Sequence, residues 1–271
     1  AGPPPPGGPR GGVFGHPPEK TGAGGGFAPP RTMLTGGTDI HMDQKQGILY
    51  GVGVGPGDPE LLTVKAVRVI READVVAAPN TGTSRAALDI VQDYIAGKPI
   101  LDCPSPMHRD RAAAKAAYAR TAEDICALLE RGKTVAMLTL GDPTVYSTYM
   151  YVHRLVEEKG YEARVIPGVP SFCAAAAALG TPLCEGKERL LIIPAGYESL
   201  EESLDVEANK VLMKAGRSIT ELQDLLRRRG ELDRASLAAN CGMEGETLYP
   251  HFADMDDPTG YFSIVIVRDK D

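Results

Sequence analysis

Apolar and polar positions along residues 46–166 follow two periods in turn. Apolar runs predict strands at 46–54, 74–79, 99–103, 134–140 and 161–166, and apolar residues at helical spacing predict helices over 59–72, 84–96, 110–131 and 144–159. The run at 134–140 is continuously apolar, which favours a central place in a parallel sheet. Because strands alternate with helices, residues 47–166 are predicted to form an N-terminal α/β domain with a mostly parallel sheet.

The pattern changes after the Pro167-Gly168-Val169-Pro170 turn, which we interpret as a hinge. A small-residue helix is predicted over 171–179 and another helix over 218–229, among strands at 190–195, 210–215, 235–241 and 261–267. Residues 167–271 are therefore predicted to form a second, C-terminal α/β domain with a mixed, more antiparallel sheet. We expect the active-site cleft to lie between the two domains, at the carboxyl ends of the parallel strands.

Residues 1–46 differ from the rest, because they are rich in Gly and Pro and have almost no apolar periodicity. Such a segment does not bury enough surface to offset the entropy of ordering the chain. The His41-Met42 pair resembles a cloning junction, so we expect a cloning-derived or disordered tail. The segment lacks the apolar core of a signal peptide and the pattern of a transit peptide.

Composition narrows the function classes. The net charge of −7 argues against general nucleic-acid binding, which needs a basic surface. No apolar run approaches the ~18 residues of a membrane span. The five cysteines lack metal-ligand or paired spacing, which predicts reduced thiols, a cytoplasmic location and no metal site.

The stretch from Gly51 to Thr63 is a glycine-rich turn between an apolar run and a helix that Asp58-Pro59 opens. It resembles a dinucleotide loop, but neither Gly51 nor Gly53 has a glycine at the sixth position of that fingerprint. An acid at the helix start would also repel a pyrophosphate. The turn is therefore predicted to hold a ligand other than phosphate, or to be a tight bend that binds nothing.

Further turns of the same kind end other predicted strands. All bend sharply and expose backbone donors and acceptors, which suits a neutral or zwitterionic ligand. They are Gly141-Asp142-Pro143, Pro167-Gly168-Val169-Pro170-Ser171 and Lys214-Ala215-Gly216. No Walker loop, zincin motif or nucleophile elbow accompanies them.

These turns carry a family resemblance. The first turn, the stretch from Gly141 to Thr148 and Pro167-Gly168-Val169-Pro170-Ser171-Phe172 resemble the tetrapyrrole methylases, the S-adenosylmethionine-dependent class III methyltransferases, over about 47–271. Within that family, Tyr146-Ser147-Thr148, Pro182-Leu183 with Glu188-Arg189-Leu190, and the stretch from Val211 to Arg217 are similar to C20-methyltransferases of cobalamin synthesis. Pro170 departs from the pattern, in which Ser or Thr is usual.

The resemblance implies methylation of C20 of a precorrin-2-type tetrapyrrole, with cobalt-factor II favoured weakly over precorrin-2. It implies a methyl donor, S-adenosyl-L-methionine, that carries much of the chemistry, while the protein holds the reactants in a near-attack geometry. The cofactor-binding residues that it implies are Pro56, Leu140, Gly141, Asp142, Tyr146, Ser171, Phe172, Met213, Lys214, Ala215, Asn240, Cys241, Tyr261 and Ser263.

The tetrapyrrole carries many carboxylates, which local cations would bind. The candidate substrate-binding residues are Asp58, in the first turn, and Arg85, His108, Arg109, Arg111 and Lys115. The cationic residues are at least as well explained as a solvated helix face. No catalytic base is identified; Tyr146 and Asp142 are the nearest candidates, and Asp142 is also a good helix cap.

Several alternatives remain. Within the family these are methylation of another ring position and a diphthine synthase-like methylation of a protein. A Rossmann-type oxidoreductase fits poorly, since Pro79 and Asn80 follow the second strand where an acid would hold a ribose. A non-catalytic binding protein also remains possible. The family resemblance further implies a homodimer, with no nucleic-acid or membrane partner.

Overall fold

Two five-stranded sheets build the part of the chain that the structure describes. The structure is a computed structural model, and it describes residues 46–80, 85–104, 111–195, 200–215 and 219–269. All of these belong to one compact unit, residues 43–271. The cationic residues His108 and Arg109, which the sequence predicts to bind substrate, lie outside the described residues.

The first sheet is entirely parallel. Its strands are β1 (Ile48–Gly53), β2 (Val75–Asn80), β3 (Ile100–Pro104), β4 (Val135–Thr139) and β5 (Glu162–Ile166), in the order β3-β2-β4-β1-β5. The helices between them are α1 (Val64–Glu72), α2 (Ala86–Ile90), α3 (Arg111–Glu130) and α4 (Tyr149–Glu158). The predicted central place of β4 is confirmed.

Helices cover both faces of this sheet, as the continuous apolar character of β4 requires. Ala136 and Leu138 belong to one apolar cluster, whereas Val135 and Met137 belong to another on the opposite face. Every residue of β4 is buried, because successive side chains of a strand point to alternate faces and both faces are covered.

The second sheet is mixed, as predicted. Helix α5 (Ser171–Leu179) precedes β6 (Leu190–Pro194), α6 (Leu200–Leu204), β7 (Asn209–Met213), α7 (Ile219–Arg228), β8 (Ala235–Ala239), β9 (Thr247–Tyr249) and β10 (Ser263–Val267). The order is β6-β7-β10-β8-β9; β6 and β7 run parallel, and the other neighbouring pairs run antiparallel.

Three predicted helices differ from the observed ones, and in two the physical reason is visible. The predicted 59–72 helix is a 3₁₀ turn (Pro59–Leu61) followed by α1, because two caps compete: Asp58 Oδ1 accepts from Glu60 N at 2.8 Å and Thr63 Oγ1 accepts from Ala66 N at 3.1 Å. The 84–96 prediction is reduced to α2 and a 3₁₀ turn at Gln92–Tyr94. The third, 144–159, begins only at Tyr149, since the preceding residues form a loop.

Contacts between the first turn and the second sheet join the two halves. A Cβ on Gly57 would lie 2.6 Å from Met243 Cγ, and one on Gly242 would lie 2.7 Å from the amide nitrogen of Asp58. The turn that follows β1 is thus packed tightly on the loop that follows β8, and only glycine permits this approach. Within the described ranges, no helix has both the length and the apolar character that crossing a bilayer demands.

Candidate active site

A cavity of about 380 Å³ lies where the carboxyl ends of the first sheet's strands meet the second sheet. This is the edge at which open parallel sheets bind ligands, and the volume is in the range of small-molecule sites. Its lining residues come from the ends of β2, β4 and β7, from the turns after β1, β4, β7 and β8, from the starts of α2 and α5, and from the segments before and within β10. They are Pro56, Pro79, Ala86, Ala87, Thr139, Leu140, Gly141, Val145, Tyr146, Ser147, Thr148, Ser171, Met213, Lys214, Cys241, Tyr261, Phe262, Ser263 and Ile264.

Backbone contacts join the turns at Gly55, Gly141 and Gly168 into one unit, here called the floor, of which Gly141 lines the cavity. Gly141 N donates to Gly55 O at 2.7 Å and Gly55 N donates to Gly141 O at 3.3 Å, with both glycines at positive φ (73° and 76°). The third turn packs directly on this pair, because a Cβ on Gly168 would lie 2.3 Å from Gly141 O and 2.8 Å from Gly53 Cα. Glycine is therefore required at these positions for the three turns to meet.

The carboxylate of Asp142 links two of these turns through hydrogen bonds. The side chain is 8% exposed; Oδ1 accepts from Thr144 N at 2.8 Å and from Thr144 Oγ1 at 2.5 Å, while Oδ2 accepts from Gly168 N at 3.0 Å. Both oxygens thus bind groups of the protein itself. Asp142 holds the backbone of the neighbouring Gly141, which lines the cavity, and does not line it itself.

Strained backbone is concentrated around the cavity. Among the described residues, three non-glycine residues have positive φ: Tyr146 (47°), Lys214 (60°) and Asn240 (50°). Tyr146 and Lys214 line the cavity, and Asn240 directly precedes the lining residue Cys241. L-residues rarely adopt this conformation, and residues held in it cluster at functional sites.

The cavity offers polar groups but little charge. Its lining residues include neither a carboxylate nor a histidine. Burial lowers the pKa of Lys214. The pKa of the Cys241 thiol rises to about 11, chiefly through burial and secondarily through the negative charge of Glu246. The thiol is therefore protonated at neutral pH, and Lys214 is the one cationic side chain among these lining residues.

These walls fit S-adenosylmethionine. Its adenosine needs apolar contact and backbone hydrogen bonds, and its amino-acid head needs backbone and hydroxyl groups. The cavity supplies backbone at Gly141, hydroxyls at Ser147, Thr148 and Ser171, and apolar walls from Pro, Leu, Val, Met and Ile side chains. The described part of the chain holds no cluster of three metal-ligating side chains.

The cavity brings together ten of the fourteen predicted cofactor-binding residues. These are Pro56, Leu140, Gly141, Tyr146, Ser171, Met213, Lys214, Cys241, Tyr261 and Ser263. The other four each adjoin a lining residue. Phe172 packs in the apolar cluster with Val211, and Ala215 is buried in another. Asn240 Nδ2 donates to Gly245 O at 3.2 Å.

Of the predicted substrate-binding residues, the four that the structure describes, Asp58, Arg85, Arg111 and Lys115, do not line the cavity. Asp58 caps the 3₁₀ turn that follows it. Arg85 forms an ion pair with Asp102, although the next residue, Ala86, lines the cavity. Arg111 and Lys115 are exposed on α3. Their role in substrate binding stays a prediction.

Nine lining residues were not predicted: Pro79, Ala86, Ala87, Thr139, Val145, Ser147, Thr148, Phe262 and Ile264. Ser147 and Thr148 lie within the stretch that carries the family resemblance, so a signal for them was present. Pro79 and the two alanines carry no chemistry that would mark them. Their place follows from the end of β2 and the start of α2, which only the fold brings to the cavity.

Known proteins match about four fifths of the chain. A probable cobalt-precorrin-2 C(20)-methyltransferase of Methanocaldococcus jannaschii is 35% identical over 227 residues, which cover 81% of this chain and 95% of that protein. The precorrin-2 C(20)-methyltransferase of a Sinorhizobium species is 34% identical and covers 82% of this chain and 95% of that protein. The cobalt-precorrin-2 C(20)-methyltransferase of Salmonella typhimurium is 32% identical, with 82% and 96% covered.

Solved structures share the fold. A cobalt precorrin-4 methyltransferase superposes with a TM-score of 0.67 at 20% identity, covering 86% of this chain and 98% of that chain. A uroporphyrin-III C-methyltransferase of Thermus thermophilus, complexed with S-adenosylhomocysteine, gives 0.60 at 22% identity, with 82% and 97% covered. The sequence model of the tetrapyrrole (corrin/porphyrin) methylases matches residues 48–254, from β1 to beyond β9. That match runs through both sheets, and the turns that carry the family resemblance meet around one cavity. The chain therefore belongs to the tetrapyrrole methylases.

Proposed function

We propose that this chain transfers a methyl group from S-adenosylmethionine to carbon 20 of a precorrin-2-type tetrapyrrole, a step of cobalamin biosynthesis. The observation that carries the proposal is the set of three relatives, 32–35% identical and matched over 95–96% of their own length, that are named for this reaction. The methyl donor of the tetrapyrrole methylases is S-adenosylmethionine, and the cavity between the two sheets fits it.

The reaction forms a bond between C20 and the methyl carbon, breaks the bond from that carbon to sulfur, and releases S-adenosylhomocysteine and the C20 proton. When bound, the methyl donor supplies an electrophilic carbon on a sulfonium, so the protein need not create one. The chain's own contribution is to hold the two reactants in line and to exclude water. The floor, in which the turns at Gly55, Gly141 and Gly168 are joined by backbone contacts, provides rigid backbone for holding the reactants.

The lining side chains support positioning more than acid–base chemistry. No lining residue is a carboxylate or a histidine, and burial keeps the Cys241 thiol protonated. We therefore assign no base to the C20 proton. We propose that the ten predicted residues lining the cavity contact the cofactor, and that Arg85, with the α3 cations Arg111 and Lys115, meets the substrate carboxylates.

The test is incubation of the purified chain with S-adenosylmethionine and each of two substrates, precorrin-2 and cobalt-factor II, followed by mass spectrometry. We expect a gain of one methylene mass, with the cobalt form as the better substrate. A carbon-13-labelled methyl group then gives the ring position by NMR. Absence of methylation on both substrates would refute the proposal, and label at another carbon would indicate a different ring methyltransferase.

The more distant alternatives have their own measurements. Calorimetry with S-adenosylhomocysteine and with NADH separates a methylase from a Rossmann-type oxidoreductase; we expect binding of the first and none of the second. A diphthine synthase-like enzyme would methylate a protein and leave both tetrapyrroles unchanged.

We also propose that the chain works as a cytoplasmic homodimer, with a hinge at Pro167 between residues 47–166 and 167–271. All five cysteines are free, which is consistent with a reducing compartment. Light scattering after size-exclusion chromatography tests the dimer, and limited proteolysis tests whether cleavage falls near the hinge.

A further inference from the structure

Tyr146 lies on the loop that follows β4 of the first sheet and contacts β6 and the residue after β7 of the second sheet. It follows the Asp142 turn, in the loop that delays the start of α4 to Tyr149. Its backbone has a φ of 47°, and its side chain stays 45% exposed while lining the cavity. Tyr is not a residue that favours this conformation, so something other than local sequence must hold it there.

Two hydrogen bonds hold Tyr146 at opposite ends. Its hydroxyl donates to the backbone oxygen of Ile192 in β6 at 2.9 Å. Its own backbone oxygen accepts from Nζ of Lys214, directly after β7, also at 2.9 Å. β6 and β7 are parallel neighbours in the second sheet. Tyr146 is therefore tied to two adjacent strands of the second sheet, although it belongs to a loop of the first.

The backbone conformation and the burial of Lys214 both favour this hydrogen bond. Its backbone also has positive φ, at 60°, which turns the chain sharply where β7 ends. Burial lowers the pKa of its ammonium, so the charged group needs a compensating acceptor, and the Tyr146 carbonyl is one. Two residues with strained backbone, from different sheets, thus hold one another through a single hydrogen bond at the cavity wall.

We propose that Lys214 is a positioning residue that acts through the Tyr146 carbonyl: it holds the 144–148 wall of the cavity against the second sheet and thereby fixes the methyl-transfer geometry. The proposal rests on the proposed function and deepens it, since it assigns the Lys214 side chain to a contact within the protein. Without this bond, residues 144–148 lose the link between their backbone and β7. The wall formed by Val145, Tyr146, Ser147 and Thr148 should then sample positions that do not fit the reactants.

The experiment compares K214M, which keeps most of the length of the side chain and removes the donor, with K214R, which restores a donor. The matched control is K98M, because Lys98 Nζ also donates to backbone oxygens, those of Arg71 and Ala73 at 2.8 and 2.7 Å, away from the cavity. Two quantities are measured for each variant: the dissociation constant for S-adenosylhomocysteine by calorimetry, and kcat/KM for methylation. Thermal unfolding is recorded alongside.

We expect K214M to weaken S-adenosylhomocysteine binding about fivefold and to lower kcat/KM by more than about tenfold, while its unfolding temperature falls no further than that of K98M. K214R should recover most of both losses, and K98M should bind and react like wild type. Y146F, which removes only the bond to Ile192, should lie between wild type and K214M.

Three outcomes overturn the proposal. If K214M equals wild type in both quantities, the bond positions nothing. If K214R is as inactive as K214M with cofactor binding intact, Lys214 is a proton acceptor and not a donor to Tyr146. If K98M loses as much as K214M, the effect is one of stability. If wild type methylates neither tetrapyrrole, the proposed function fails, whereas the S-adenosylhomocysteine affinities still decide the role of Lys214.

Discussion

The two Asp-Pro turns of this chain share a local sequence but differ in burial, and this difference predicts different costs for the same substitution. Gly57-Asp58-Pro59 follows β1 and Gly141-Asp142-Pro143 follows β4. Asp58 is partly exposed and accepts one backbone hydrogen bond, whereas Asp142 is 8% exposed and accepts three hydrogen bonds from two different turns.

The D142N variant keeps the shape of the side chain and replaces one acceptor oxygen by an NH₂ group. The remaining oxygen can satisfy either Thr144 or Gly168, so the NH₂ group must face a backbone N–H that has lost its acceptor. A hydrogen bond to a charged group contributes about 1.5–3 kcal/mol, and a buried unpaired N–H costs a similar amount. We therefore expect D142N to lower the free energy of unfolding by about 2–3 kcal/mol, and D142A, which removes every acceptor, by about 4 kcal/mol.

The D58N variant is the matched control. Asn caps helical turns about as well as Asp, and the single bond of Asp58 is open to water, so we expect a change below about 0.5 kcal/mol. Urea unfolding followed by far-ultraviolet circular dichroism measures these differences; the chain has no tryptophan to serve as a fluorescent probe.

Binding of S-adenosylhomocysteine provides a second measurement, because Asp142 holds Gly141 and Gly168 in the cavity floor. We expect D142N to weaken it and D58N to leave it unchanged. The reasoning is refuted if D142N lies within about 0.5 kcal/mol of wild type, or if both variants are destabilised equally.

Three further predictions follow from particular residues. G168A should lower the free energy of unfolding by about 2 kcal/mol or more, because its Cβ would clash with backbone atoms of Gly141 and Gly53. G260A has open space around the new Cβ and should be nearly neutral, and urea unfolding midpoints compare the two variants. Cys241, with its pKa of about 11, should react with iodoacetamide about a hundredfold more slowly in the native chain than in the urea-unfolded chain at about pH 8. The native rate should rise with pH up to about 11, and peptide mass spectrometry measures the modified fraction. The backbone N–H of Glu185 holds the pKa of Glu188 below its usual 4.5, so the stabilisation by this carboxylate is present at neutral pH and is lost as the pH falls through the lowered value. The difference in urea midpoint between wild type and E188Q should therefore shrink on acidification, and a constant difference would contradict the prediction.

The sequence predicted the strands well because burial on both faces leaves a direct mark. β4 is buried at all five positions, is apolar at the first four, and occupies the centre of its sheet. The mixed character of the second sheet was also predicted, since its last strand alternates. β9, with three residues, is too short to show a period and was missed.

The helix starts show where local pattern is insufficient. The periodicity of 59–72 continues through Leu62, yet the Asp58 and Thr63 caps divide it, and both caps are visible in the sequence. The late start of α4 has no such signal. Tyr146, in the loop before α4, contacts Ile192 and Lys214, which lie 46 and 68 residues away in the chain.

The candidate site likewise has residues that a local sequence signal marks and residues that only the fold brings together. Gly and Pro mark the turns of the cavity, because positive φ or a close backbone approach favours Gly and a sharp bend favours Pro. The family resemblance that these turns carry then predicted Gly141 and Pro56, and both line the cavity. Ala86 and Ala87 carry no such mark. The pairing of Arg85 with Asp102 was also hidden, since it depends on β2 and β3 being neighbours.

The stretch from Gly51 to Thr63 shows how a glycine-rich turn can serve a ligand that is not a phosphate. Gly55 pairs with Gly141, Gly57 packs against the loop after β8, and the carboxylate of Asp58 accepts from Glu60 N, so the amides of Gly55 and Glu60 are committed within the protein. Only Pro56, which has no N–H, faces the cavity. The residue of this turn that lines the cavity therefore offers no amide to a phosphate, whereas an apolar or aromatic surface can pack against its ring. Of the two residues that break the dinucleotide pattern, Pro56 thus forms part of the cavity wall and Asp58 caps the 3₁₀ turn that follows.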